Sequence, residues 1–195
     1  MSFDGQPYSD KGFLFGKLLI AMPGMADPRF EKSVILMCSH SDRGALGLIV
    51  NKPIPALPFR ELMVNMDIDV GEKAANARVM YGGPVDTDHG YILHANERAN
   101  RSATLSITSE IALTPTLDIL KAIAGGRGPE RWLLALGYAG WGPGQIESEI
   151  AANGWIHCDA DSDIVFDSTM ETKWARAFGK LGAGLSGLSA DVGRA

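Results

Sequence analysis

Apolar positions along this chain follow two periods. Short runs rich in β-branched and aromatic residues, at 15–22, 33–39, 46–51, 78–81, 91–95 and 104–108, predict strands. Turn-forming residues punctuate them: Pro23-Gly24, Ser41-Asp-Arg-Gly44 and Gly82-Gly83-Pro84. The runs at 33–39 and 46–51 flank a glycine-containing loop, which predicts a hairpin. A further run at 132–138 (WLLALGY) is apolar nearly throughout and reads as a strand buried on both faces.

Helical spacing predicts four helices. Pro58 opens the first at its N1 position, with Phe59, Leu62 and Met63 on one face. Thr114 caps the second, Pro115 takes N1, and Gly125-Gly126 ends it; Ile119, Leu120 and Ile123 make it well buried. The third runs over 143–153 and closes at Gly154. The fourth carries the stripe Met170, Trp174, Ala177, Phe178 and Leu181. Strands come mainly first and helices then alternate with strands. This order excludes a regularly wound parallel sheet and predicts an α/β fold of α+β character, a mixed, strongly curved sheet with helices packed outside.

The length of 195 residues suits one domain, and no repeat or linker divides it. With 46% hydrophobic and 21% charged residues the composition is globular. The net charge is −5, and neither half is basic. The chain thus lacks an electrostatic footprint for nucleic acid or anionic lipid. The candidate second helix offers one lysine, Lys121, where a DNA-reading helix needs polar donors. Two cysteines, Cys38 and Cys158, read as reduced, buried thiols. The apolar stretch 13–22 fails as a signal peptide: Asp4 and Asp10 precede it and Lys17 interrupts it. No run reaches the length of a membrane helix, so a cytoplasmic protein without membrane contact is expected.

The segment 137–145 (GYAGWGPGQ) lies between a predicted strand and a predicted helix. That layout can present backbone N–H groups and a positive helix end to an anion, or it can be a tight turn with close helix–sheet packing. Its spacing matches neither nucleotide-binding fingerprint. Gln145 and Glu149 share a helix face, whereas Glu147 points about 200° away from Glu149. Gln145, Glu149 and Trp141 either line a polar pocket or belong to a surface helix. Cys38 and His40, two apart on a regular strand, would share one face. Together with His157 or Cys158 they match no zinc spacing, so no metal site and no cofactor is expected. His89 and His94 read as hydrogen-bonded structural histidines. No nucleophile elbow or catalytic-cysteine signature occurs. A set such as Ser33, His40 and Asp27 is defined by geometry rather than composition, so no catalytic residue is assigned.

Taken together these segments resemble the YqgE/AlgH family. The resemblance rests on Met22-Pro-Gly-Met-Ala-Asp27, Phe30, Ser33-Val34 and His40, then Gly44-Ala-Leu-Gly47, Asn51-Lys-Pro53, Gly82-Gly83-Pro84 and Leu93-His94. Its longest block is Gly137-Tyr-Ala-Gly-Trp141 with Gly144-Gln145, Glu147, Glu149-Ile150 and Trp155; Phe166 and Trp174 close it. It covers about residues 12–190, leaving 1–11 as a loose polar N-terminus and 191–195 as a tail. The resemblance implies a bifurcated sheet curled into a pseudo-barrel with flanking helices, in a bacterial cytoplasmic protein. It also implies a regulator of gene expression, since some members are described as transcriptional regulators linked to alginate production. It supplies no catalytic residue set.

Much of the pattern has structural readings. Asn51 can close a turn with its amide while Pro53 ends the strand. Gly82, Gly83 and Pro84 turn the chain, and Asp27 can satisfy backbone donors in the 25–30 loop. Gly137 and Gly140 permit close backbone approach. Ser33, His40, Asn51, Gln145 and Glu149, with Trp141 and Gly144, remain as candidates for a shared cleft. The functional expectation is a regulator acting through a protein partner without direct DNA contact. The alternative is a protein binding a small ligand or anion at 137–145, and an enzyme is the third reading.

Overall fold

The computed structural model describes residues 13–96 and 103–181. The expected N-terminus, 1–11, and tail, 191–195, lie outside the described residues.

Among the described residues, ten strands form one sheet. Its main path runs β10 (Trp155–Asp159), β1 (Lys17–Ala21), β2 (Val34–Ser41), β3 (Gly44–Ile49), β9 (Trp132–Trp141), β6 (Val85–Ala95), β8 (Ile111–Thr114) and β7 (Leu105–Ser106). Off this path, β4 (Pro53–Pro58) pairs with β5 (Arg78–Tyr81), and β5 pairs with β9. The β2–β3 hairpin forms as expected. Strand β9 is shared: Ala139 to Trp141 pair antiparallel with β3, Leu134 to Leu136 pair parallel with β5, and β6 runs along β9 as well. The sheet therefore forks, and it curls into a half-barrel.

Glycine makes the fork possible. Gly137 has φ +69°, and a Cβ there would lie 2.5 Å from the Gly83 carbonyl oxygen. A Cβ on Gly82 would reach within 2.2 Å of the Gly137 oxygen, and one on Gly83 within 2.0 Å of the Tyr138 carbonyl carbon. Gly82 also stitches the branches together, donating to Leu136 O and accepting from Ile49 N–H. No side chain fits where these backbones cross.

The sheet buries both faces. The concave face presents Leu18, Leu36, Leu48, Leu93 and Leu133 to helix α5 (Met170–Gly179), which offers Trp174, Ala177 and Phe178. On the other side of β1–β3, Leu19, Ile35 and Ile49 join Ile146 of α3 (Gln145–Ala151) and Trp155. Over the other branch, Val79, Ile92 and Leu134 pack beneath α1 (Phe59–Val64) and α2 (Leu117–Ala124). A short helix, α4 (Ser162–Val165), is capped by Asp161, whose carboxylate accepts from the N–H groups of Asp163 and Ile164.

Several local expectations are corrected. Thr114 ends strand β8 and caps no helix; α2 begins at Leu117, with Thr116 at its N-cap position. Its hydroxyl instead pairs with the buried His94, at 2.9 Å from Nε2. Residues Gly137 to Trp141 belong to β9, so only 142–144 form the turn before α3, which is shorter than the expected 143–153. Pro53 opens β4 and does not end β3, which stops at Ile49. Strands β4, β8 and β10 and helix α4 had no sequence signal strong enough to place them. Cys38 is buried, but Cys158 is only half-buried. Among the described residues, no helix is long and apolar enough to cross a membrane.

Candidate functional site

Two interruptions of the strand period set the geometry around α3. Between Met37, opposite Gly47, and Ser39, opposite Leu46, Cys38 is an extra residue in β2. This bulge shifts the alternation. Cys38 joins Leu36 in the concave core, while His40 emerges on the opposite face beside Leu14. The expectation that Cys38 and His40 share a face is thus corrected. Gly137 does the same to β9: Leu133, Ala135 and Tyr138 face the concave core, and Ala139 and Trp141 reach the other face. His40 pairs with Ala45, and Ala45 with Trp141, so the three form a row across three strands beneath α3.

Helix α3 is clamped onto this row at both ends. Leu14 N–H donates to His40 Nδ1 at 3.3 Å, which leaves the ring proton on Nε2, 2.7 Å from Glu147 Oε1. His40 is 8% exposed. The Glu147 carboxyl is held below its usual range, first by its own backbone N–H and then by His40. On the other side, Glu149 Oε2 accepts from both Trp141 Nε1 at 3.0 Å and Trp155 Nε1 at 2.7 Å. Gln145 Nε2 donates to Glu149 Oε1 at 2.9 Å, and Gln145 Oε1 accepts from Gly142 N–H at 3.0 Å. Gly144 takes φ +70° to start the helix. Trp141, Gln145 and Glu149 are therefore assembled, but their polar atoms serve one another. A seven-residue helix has little stability alone, and this network supplies what propensity does not.

Ser33 and Asn51 lie at the other end of β2, roughly 20 Å along the strand from His40. The structure does not bring them to the α3 clamp. Ser33 Oγ donates to Phe30 O, and Asn51 accepts from Val34 N–H and donates to Lys32 O. Asn51 thereby ties the 22–33 loop to the sheet rather than closing its own turn. Asp27 accepts Arg29 N–H, as expected of a loop acid, and also takes the Arg29 guanidinium. That guanidinium holds the Asp27 carboxyl below its usual range. Among the described residues no three His, Cys, Asp or Glu side chains form a group suited to a metal ion.

Open space lies elsewhere. A cleft of about 420 Å³ sits between the start of β5 and the α4–α5 junction. Lys73, Asn76, Ala77 and Arg78 form one wall, Phe166, Asp167, Ser168 and Met170 the other, and Met80, Trp132 and Leu133 line it further. A second cleft of about 440 Å³ meets it along Asn76, Ala77 and Arg78 and is bounded by Pro53, Ile54, Pro55, Leu57 and Pro58. The proline spacing explains the gap: without N–H groups these residues cannot complete the ladder, and β4 meets β5 at Pro53–Met80 and Pro58–Arg78 with an irregular register between. Asp167 is ion-paired with Arg176. Arg131 donates to Ser162 O and Asp163 and stands 5.2 Å over the Phe166 ring. Neither Lys73 nor Arg78 makes an ion pair among the described residues.

On α5, one turn after the cleft-lining Met170, Lys173 is 0% exposed. Its Nζ donates to Val50 O at 2.8 Å and Val165 O at 2.7 Å. Burial pushes the ammonium down to about 7. The two N–H donors of a neutral amine match these two carbonyls in number. Sequence reasoning passed over these residues. Nothing in a motif marks Asn76 or Arg78, but Lys173 interrupts the apolar stripe between Met170 and Trp174, and that anomaly was legible.

Comparison with known proteins now places the chain. The AlgH-like family model matches residues 18–186, and the chain belongs to this family. A UPF0301 protein of Rhodopseudomonas palustris (strain HaA2) is 49% identical, across 97% of this chain and 90% of its own length. UPF0301 protein blr1492 of Bradyrhizobium diazoefficiens is 48% identical, across 97% of this chain and 92% of its own. Among solved structures, the AlgH protein from Pseudomonas aeruginosa matches with a TM-score of 0.76 and 38% identity, covering 97% of this chain and 100% of that one. Protein DIP2367 from Corynebacterium diphtheriae matches with a TM-score of 0.70 at 19% identity, a likeness of fold alone.

Proposed function

We propose that this protein binds a small ligand and performs no chemistry on it, and that any role in gene regulation runs from ligand occupancy to a protein partner in the cytoplasm. The observation that carries this reading is the pair of clefts meeting at Asn76–Arg78, the first of which sets the buried Met80 and Leu133 beside the exposed polar side chains Lys73, Asn76, Arg78 and Ser168. The α3 clamp supports it from the other side. Its glutamates, glutamine, histidine and indoles are engaged by the chain's own groups, which disfavours 137–145 as an anion site. The net charge of −5 disfavours direct contact with DNA.

Retention of small molecules from a bacterial extract, followed by mass spectrometry, tests this. The intact protein is expected to retain a compound that the cleft-filling variant Ser168→Trp does not. Equal retention by both, or by neither, contradicts the reading.

A further inference from the structure

We infer that the ligand is a small organic anion, its charged group held between Lys73 and Arg78 and its flat apolar part laid against Trp132 and Phe166; this rests on the ligand-binding reading above. The chain carries an excess of acidic residues, with a net charge of −5. The cleft reverses that balance. Of the charged side chains lining it, Lys73 and Arg78 are cations with no ion-pair partner among the described residues, whereas the acid, Asp167, is neutralised by Arg176. A local positive field in an acidic protein selects anions over neutral and cationic competitors. Arg78 offers a planar fork suited to a carboxylate or a phosphate, and Lys73 a point charge beside it. Trp132 and Phe166 both line the cleft and are half-buried; Trp132 rests against Phe59, and one face of the Phe166 ring carries the Arg131 guanidinium. The buried side chains of Met80 and Leu133 provide an apolar lining. Asn76 and Ser168 add neutral donors at the rim.

The test uses 2-naphthoate, 2-naphthyl phosphate and 2-naphthamide as probes, with binding read from the ε-methyl NMR signals of Met80 and Met170. Both anions are expected to shift these signals and to bind at least about tenfold more tightly than the amide. In the double variant Lys73→Gln, Arg78→Gln the anions should weaken to the level of the amide, whose own binding stays as it was and shows the cleft intact. Equal binding of acid and amide overturns the anion assignment while leaving a ligand cleft in place. Failure of all three probes to move either signal overturns it too, and the extract experiment then judges the ligand-binding reading independently.

Discussion

Cys38 and His40 are separated by one residue on β2 yet point to opposite faces of the sheet, because Cys38 is itself the inserted residue of a bulge. Cys38 is sealed in the concave core, where burial raises its thiol to about 12. His40 instead meets Glu147 at 2.7 Å on the outer face. One additional residue thus decides whether the histidine packs inside the half-barrel or anchors a helix outside it.

The His40–Glu147 contact should couple energetically. In a double-mutant cycle of His40→Gln and Glu147→Gln, unfolding by urea is expected to give an interaction of about 1 kcal/mol, since Glu147 is half open to solvent. The Glu147 carboxyl is depressed, so this contribution is present above the usual carboxylate range and disappears as pH falls through the depressed value. Strict additivity of the two substitutions would remove the contact from the energetics.

Glu149 is the acceptor for two indoles at once. Glu149→Ala leaves both indole N–H groups without their partner and is expected to cost about 2–3 kcal/mol. Glu149→Gln keeps an acceptor oxygen and should cost less. Near-ultraviolet circular dichroism should register the change, because the Trp141 and Trp155 rings meet edge to face at 6.0 Å. An unchanged denaturation midpoint in Glu149→Ala would show that the clamp contributes nothing to stability.

Gly137→Ala tests the fork. The added methyl meets the Gly83 oxygen at 2.5 Å, and φ +69° is unfavourable for alanine in any surroundings. A loss of about 2–4 kcal/mol is expected by chemical denaturation. Gly144→Ala has the same sign of φ, at +70°, but open space around the added carbon, so it should cost markedly less. Equal losses would mean that the crossing of the two branches is not sterically limited.

Lys173 predicts a pH dependence of stability. Its folded value is about 7, while an unfolded lysine titrates near 10.4. Between those values the unfolded chain holds a proton that the folded chain has shed, so stability rises with pH across the window. Below about 7 the penalty is present in full. The rise relative to Lys173→Met should be on the order of 2–4 kcal/mol between about pH 7 and pH 10. Parallel stability curves for the two proteins would contradict a buried, neutral amine.

The sequence spoke clearly where one rule acted alone. The β2–β3 hairpin, the apolar strand at 132–138 and the stripe of α5 all follow from period and turn chemistry. Strand β4 was hidden because Pro53, Pro55 and Pro58 argue against a strand, and only pairing with β5 makes one. That Gln145 and Glu149 act together beside Trp141 could be anticipated from helical spacing, whereas the closed character of the group could not, since no spacing rule shows that Trp155, at the start of the next strand, turns its indole back onto Glu149. His40 was misassigned because a bulge leaves no mark in an apolar run. The cleft escaped altogether: Lys73, Arg78 and Ser168 converge only after the sheet has forked.

The most direct test sets the two candidate regions against each other within one molecule. Met80 and Met170 line the cleft, while Met25 and Met37 pack in the core beside α3. In a titration with the compound retained from bacterial extract, ε-methyl NMR is predicted to show shifts at Met80 and Met170 with Met25 and Met37 unmoved. Shifts confined to Met25 and Met37 would place recognition at the α3 clamp and contradict the account.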